Sequence, residues 1–148
     1  MGYHSHLHRK HPESFFLTVV VKYDNITKDV EAANDSKNAP VSWIKSALKE
    51  FEAFPEGARS ICLVGLTIAA EGGKADIAKP MLGLGSGVFE IALPFKGDAF
   101  RVVYAVQLAD EIWVVHAFQK KSTQGSKSPQ REIDLIKDRL QRLKEMLR

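Results

Sequence analysis

The fold of this chain is decided by residues 79–128, which read KPMLGLGSGVFEIALPFKGDAFRVVYAVQLADEIWVVHAFQKKSTQGSKS. A glycine-rich entry, GLGSG, leads into an apolar run at 88–95. Further apolar runs follow at 99–108 and 111–119, after the short turns KGD and AD. Connections this short join antiparallel strands, because a parallel crossover needs a dozen or more residues. The stretch therefore predicts an antiparallel meander of three strands.

Segments with helical periodicity precede and follow these strands in the sequence. Apolar residues recur at helical spacing from Val41 until Pro55 ends the first helix, with Ser42 as a candidate cap, and a second helix runs from Glu56 to about Glu71. A third helix starts at Pro129. Its apolar stripe consists of Ile133, Ile136, Leu140, Leu143 and Leu147. This order predicts an α+β fold in which an N-terminal helical hairpin and a C-terminal helix pack on one face of a small antiparallel sheet.

The N-terminal part of the chain differs in composition from the rest. We predict an extension at 1–38, flexible and with an additional strand at 15–23, followed by one domain at 39–148. The extension carries the histidines His4, His6, His8 and His11. Imidazoles that converge can bind a metal ion, but the composition favours a tag-like tail.

Composition limits the class of protein. A chain of 148 residues with 45% hydrophobic residues can build one core, and a net charge of +3 permits a nucleic-acid partner without requiring one. A single cysteine, Cys62, excludes an internal disulfide framework and favours a cytoplasmic location. No apolar run is long enough to span a bilayer, so we expect no membrane association. The run Phe15–Val21 is short and lacks a small-residue cleavage site, which argues against secretion.

Two polar residues interrupt the apolar strands. Arg101 lies inside the second run, where a buried cation needs a partner or an open face. An ion pair with Glu90 across the hairpin would give it a structural role, whereas phosphate binding through its planar guanidinium would give it a functional one. His116 lies in the third run. It is either a hydrogen-bonded core residue or a general acid or base.

Basic residues collect at the predicted sheet and its loops. Lys120 and Lys121 end the third run, and Lys79, Lys96 and Lys127 lie in the adjoining loops. Such a set is either a solvated edge or a groove that tracks an RNA strand. We take the three loop lysines as candidate RNA-binding residues.

Motifs for other chemistries do not occur in this sequence. The glycine loop matches neither a Walker motif nor a dinucleotide fingerprint, and a tight turn explains it better. There is no serine-hydrolase elbow and no carboxylate cluster suited to a two-metal nuclease. We therefore expect no metal and no other cofactor. RNA cleavage would then use the ribose 2′-OH as nucleophile, with side chains to move protons and to stabilise the phosphate.

The segments GLGSGVFEI, FRVVYAV and HAFQKKS resemble the RelE/HigB-like toxins of type II toxin–antitoxin systems, and specifically their phage-derived branch. The resemblance extends over about Pro40 to Leu143. It implies the RelE-like fold and a ribosome-dependent mRNA endoribonuclease, an mRNA interferase that inhibits translation and growth. It also implies mRNA, the ribosome and a cognate antitoxin with a helix-turn-helix domain as partners.

The same resemblance implies roles for individual residues. Arg101 matches the strand arginine that holds the scissile phosphate, and Lys120 and Lys121 match basic positions that neutralise charge in the transition state. To these candidate catalytic residues we add His116 as a proton-transfer group.

The chain also departs from the family pattern. The preceding strand carries Glu90 and Ala92 where the best-studied relatives have two lysines, and no tyrosine follows Lys121. The alternative function is that of a non-catalytic member of the same fold, which is either a binding module or a ParE-like topoisomerase poison.

Overall fold

The computed structural model describes residues 19–20, 38–121 and 128–148. Its elements, in chain order, are β1 (Val19–Val20), β2 (Val41–Trp43), α1 (Lys45–Glu52), α2 (Glu56–Ala70), β3 (Ala78–Pro80), β4 (Val88–Phe95), β5 (Asp98–Leu108), β6 (Glu111–Lys120) and α3 (Gln130–Met146). The chain thus has the predicted α+β class, with a helical hairpin before the main strands and a helix after them. This arrangement is consistent with the RelE-like fold.

The strands form one sheet in the order β1-β2-β6-β5-β4-β3. Strands β3 to β6 pair antiparallel, which includes the predicted meander. The other edge differs from the expectation, because β2 pairs parallel with β6. The short β1 lies inside the run in which the sequence predicts an additional strand, and it pairs antiparallel with β2 at the sheet edge.

The first helix begins later than its sequence predicts. Val41–Trp43 is the strand β2, and α1 starts at Lys45. Ser42 does not cap the helix, since its hydroxyl donates to the carboxylate of Glu111. The prediction is wrong here because short apolar segments fit strand and helix periodicity equally well, and pairing with the distant β6 decides between them.

Helices cover both faces of the sheet. Neighbouring residues of a strand point to opposite faces. Ile91 faces α2, where Gly65 permits close approach, since a Cβ there would lie 3.0 Å from Ile91 Cδ1. Glu90 faces the other way, and its carboxylate accepts a hydrogen bond from Ser128, just before α3. The prediction of a single covered face is therefore wrong. The run 100–105 of β5 is buried throughout, which requires cover on both sides.

The core has one layer on each side of the sheet. Under the hairpin, the rings of Trp43, Phe51, Phe54 and Phe100 form a chain with centroid separations of 4.9, 5.4 and 4.8 Å. Across the sheet, α3 contributes Ile136, Leu140 and Leu143, all buried. Within the described ranges, no helix has both the length and the apolar character that crossing a membrane requires.

A β-bulge in β6 lies next to His116. Val103 lies opposite His116 but Tyr104 lies opposite Val114, so Val115 is an extra residue on β6. At the bulge, the carbonyl of Val115 accepts a hydrogen bond from Arg139 of α3, and the N–H of Ala117 donates to Glu50 of α1. The free edge of β6 is thereby closed by side chains.

Candidate active site

One face of the sheet brings together three of the four candidate catalytic residues. Arg101 lies opposite Phe118, two positions from both His116 and Lys120 along β6. Because side chains alternate along a strand, all three point to the face that α3 covers. Diagonal neighbours on adjacent strands lie roughly 7–8 Å apart, so Arg101 is near both of the other side chains. Lys79 on β3 shares this face, since it pairs with Glu90.

Arg101 is held by an ion pair across the β4–β5 hairpin. Its Nη1 donates to Glu90 Oε1 at 2.9 Å, and both side chains are buried. Ser128 completes the cluster, because its hydroxyl donates to Glu90 Oε2 at 2.7 Å and lies 3.4 Å from Arg101 Nη1. The structural alternative considered for Arg101 is thus present in the molecule, and the guanidinium faces carboxylate and hydroxyl oxygens.

His116 lies between two carboxylates and an arginine. Its Nε2 is 2.6 Å from Glu132 Oε1, and its Nδ1 is 2.8 Å from Arg139 Nη1 and 3.1 Å from Glu50 Oε1. A protonated ring can donate to both carboxylates. A neutral ring with its proton on Nε2 can donate to Glu132 and accept from Arg139. The buried imidazole therefore has partners in both charge states, as a proton-transfer group requires.

Arg139 and Glu50 fix the side of the ring that faces α1. Arg139 donates from Nη1 and Nη2 to the two oxygens of Glu50, at 2.9 and 3.0 Å, and from Nη1 to the carbonyl of Val115 at 3.0 Å. Burial opposes ionisation of Glu50, but hydrogen bonds and positive charge from His116 and Arg139 lower the pKa of its carboxyl to about 2. Glu50 therefore remains a carboxylate and holds the network in one geometry.

The sequence analysis missed Glu50, Glu132 and Arg139, although a signal for two of them exists. Arg139 lies three residues after Ile136 and Glu50 lies three residues after Ala47, both on the apolar stripes of their helices. A charged residue on a buried stripe needs a partner, so each position indicates a buried network. The identity of the partner depends on how α3 docks and is not visible in the sequence.

The candidate lysines differ in burial and position. Lys120 is only 2% exposed. Lys121 is exposed just after β6, and Lys79 and Lys96 are exposed on β3 and in the β4–β5 turn. Lys127 and the N-terminal histidines lie outside the described residues. The structure thus places Arg101, His116 and Lys120 together and leaves Lys96 and Lys121 away from them.

In the part of the chain that the structure describes, no group of His, Cys, Asp or Glu side chains has an arrangement that could hold a metal ion.

Comparison with known proteins identifies the family of this chain. A family model described as Phage derived protein Gp49-like (DUF891) matches residues 49–141, more than half of the 148 residues. No curated protein and no solved structure matches the chain. The matched range contains Arg101, His116 and Arg139, and the chain therefore belongs to the phage-derived Gp49-like family, which is part of the RelE/HigB-like toxin superfamily.

Proposed function

We propose that this protein is the toxin of a type II toxin–antitoxin system and acts as a ribosome-dependent mRNA endoribonuclease. The observation that supports this most directly is the placement of Arg101, His116 and Lys120 on one face of β5 and β6. Two cations and an imidazole at diagonal sheet distance supply the groups that metal-independent RNA cleavage needs. Membership of a toxin-like phage-derived family supports the same class of function.

In the proposed reaction the scissile phosphate lies between Arg101, Lys120 and His116. The ribose 2′-oxygen attacks phosphorus and the bond to the 5′-oxygen breaks, which leaves a cyclic phosphate and a 5′-hydroxyl. Arg101 and Lys120 bind the phosphate oxygens and stabilise the negative charge of the pentavalent transition state. His116 moves one proton, either from the 2′-oxygen or to the leaving 5′-oxygen, and solvent water exchanges the other. Lys121 and the loop lysines would bind flanking phosphates.

Substrate binding requires an exchange of partners on this face. Glu90 and Glu132 present carboxylate oxygens to Arg101 and His116, where a phosphate would present its own. Ser128 lies just before α3, and Glu132 lies in its first turn. Movement of this segment would uncover the face, and phosphate oxygens would then replace the Glu132 carboxylate beside the imidazole.

The proposal includes partners and a location. A toxin that acts on translated messages meets mRNA on the ribosome, so it works in the cytoplasm. A cognate antitoxin with a helix-turn-helix domain would neutralise it, as the resemblance implies.

The burial of the site favours a second candidate function. Arg101 and His116 are only 6% and 2% exposed, and each already has protein partners. Residues with a purely structural role would also be buried and paired with other protein groups. The second candidate is therefore a non-catalytic member of the fold, either a binding module or a ParE-like topoisomerase poison.

Inducible expression in a bacterial host, with growth curves and mapping of mRNA 5′ ends, tests the proposal. We expect growth arrest with new cleavage sites in translated messages, and the loss of both in His116→Gln. Lys45→Gln, an exposed change on α1, is the matched control and should remain toxic. Circular dichroism of each purified variant checks folding. Arrest with intact mRNA would favour the topoisomerase poison, and absence of arrest would favour the binding module.

A further inference from the structure

A second basic site lies between the glycine loop, residues 83–87, and the C-terminal half of α3, outside the group formed by Arg101, His116 and Lys120. The two segments line a cavity of about 320 Å³ that is open to solvent, with Gly83 contributed by the loop and Lys137, Lys144 and Arg148 by the helix and the residues after it. The sequence analysis assigned the glycine loop to a tight turn, and the proposed function uses neither the loop nor these cations. The cavity therefore needs its own explanation.

The cations at this cavity differ from others on α3 in their partners. Arg142, also on the surface of α3, forms an ion pair with Asp138 at 3.4 Å. For Lys137, Lys144 and Arg148, the structure gives no ion pair among the described residues. Unneutralised cations that converge on one cavity favour an anionic ligand.

The glycine loop leaves backbone exposed on the opposite wall. Gly83 and Gly85 have φ values of 85° and 91°, in the left-handed region that favours glycine. A Cβ on Gly83 would meet nothing within 4 Å, and one on Gly85 would lie 3.8 Å from Lys144 Nζ. Glu145 is the acidic side chain of the lining, so three cations and one carboxylate give the cavity a positive balance. An extended anion that lies along the cavity would meet the loop on one side and these cations on the other.

The spacing of the lysines indicates a polyanion instead of a single phosphate. Lys137 and Lys144 are seven positions apart on one helix, which separates them by roughly 10 Å along its axis. Arg148 lies four positions further along the chain, so the three cations form a row that is longer than one phosphate group. Successive phosphates of a nucleic-acid strand can contact such a row, and lysines bind phosphates as point charges.

We infer that this cavity binds the sugar–phosphate backbone of RNA. The inference rests on the proposed function, because it supplies a cleaving toxin with a second point of attachment to its RNA. The bound RNA is either the message strand or a ribosomal RNA helix, which present the same backbone chemistry. Binding here is independent of the chemistry at His116, so the two proposals can fail separately.

Fluorescence anisotropy with labelled RNA, measured between 50 and 200 mM salt, tests the inference on the full chain. The test variant is Lys137→Gln/Lys144→Gln. Its matched control is Lys45→Gln/Lys49→Gln, which removes the same charge from exposed positions on α1. Each lost phosphate contact lowers the slope of log affinity against log salt by about 0.7 for a single strand, so we expect a loss of about 1.4 in the test variant alone.

Three further measurements sharpen the result. Glu145→Gln removes the carboxylate from the cavity, so we expect several-fold tighter binding at 50 mM salt. In a His116→Gln background, which lacks the proposed proton-transfer group, Lys137→Gln/Lys144→Gln should lower the slope by the same amount as in the wild type. Single-stranded and duplex probes of equal length distinguish a message strand from a ribosomal helix.

Several outcomes would overturn the inference. One is absence of RNA binding at 50 mM salt, and another is an equal loss of slope in both double variants. A third is tighter binding of polyglutamate than of RNA, which would assign the cavity to an acidic protein segment.

Discussion

Arg139 on α3 donates two hydrogen bonds to the carboxylate of Glu50 on α1, at 2.9 and 3.0 Å. The two residues are 89 positions apart and come from helices on opposite faces of the sheet. They meet at the edge of β6 that β2 leaves open, where they also bond the carbonyl of Val115 and the N–H of Ala117. The pair therefore satisfies backbone hydrogen-bonding groups at an open strand edge, and it orients His116 at the same time.

The lowered pKa of Glu50 predicts acid sensitivity. A carboxyl with a folded-state pKa of about 2 stabilises the fold above its ordinary value of 4.5, and this stabilisation is lost as pH falls from about 4.5 towards 2. The full difference corresponds to at most roughly 3 kcal/mol in the free energy of unfolding, and solvent screening of the partly exposed carboxylate lowers this value. Urea denaturation at pH 6 and pH 3 measures it. Glu50→Gln should show a smaller pH dependence, whereas Glu52→Gln, an exposed neighbour, should behave like the wild type.

The Glu90–Arg101 pair predicts a strong coupling between two substitutions. Arg101→Leu leaves the buried Glu90 carboxylate without its cation, which should cost about 3–5 kcal/mol of stability. Glu90→Leu should cost a similar amount, whereas the double variant should be close to the wild type, because both buried charges of the pair are removed. A double-mutant cycle by urea denaturation measures the coupling. Additive losses would contradict a structural ion pair.

That cycle also separates stability from activity. Loss of toxicity in Arg101→Leu alone has two explanations, a weakened fold and a lost phosphate ligand. The double variant removes the first explanation. If Arg101 binds the scissile phosphate, the double variant should be stably folded and should leave mRNA intact.

The contact between Glu132 and His116 predicts that the start of α3 protects the imidazole. Glu132→Ala removes the acceptor 2.6 Å from Nε2, which should lower stability by about 1–3 kcal/mol. It should also speed the carbethoxylation of His116, followed by mass spectrometry of the peptide that contains it. Asp134→Ala, two residues along α3 and exposed, is the control. Unchanged modification of His116 in Glu132→Ala would mean that other groups cover the ring.

The fold was largely predictable because its central strands carry local signals. The apolar runs are separated by turns of two and three residues, which are too short for a parallel crossover, so these strands pair antiparallel. The strand β2 was not predictable, since Val41–Trp43 also fits a helix and its partners on β6 are distant. Ser42 and Glu111, which bond across this pair, are 69 positions apart. Local periodicity carries no information on such a contact.

The site was predictable only where a polar residue interrupts an apolar strand. Arg101 and His116 can be recognised from the sequence for this reason, and Glu90 as the partner of Arg101 follows from the register of the hairpin. Burial of Lys120 was not predictable, because a basic residue at a strand end is usually solvated. Glu132 and Arg139 become partners of His116 only when α3 docks on the sheet, and docking geometry is a property of the packed chain.

Cys62 offers a direct probe of whether this packing is intact. It is the single cysteine of the chain, it is fully buried on α2, and burial raises the pKa of its thiol to about 12. Because the thiolate is the reactive form, we expect almost no reaction with Ellman's reagent at pH 8 in the native protein and full reaction in denaturant. The native rate should therefore report on opening of the core. Rapid native reaction would contradict the packing of α2 against the sheet, and Cys62→Ser, which has no thiol, gives the background rate.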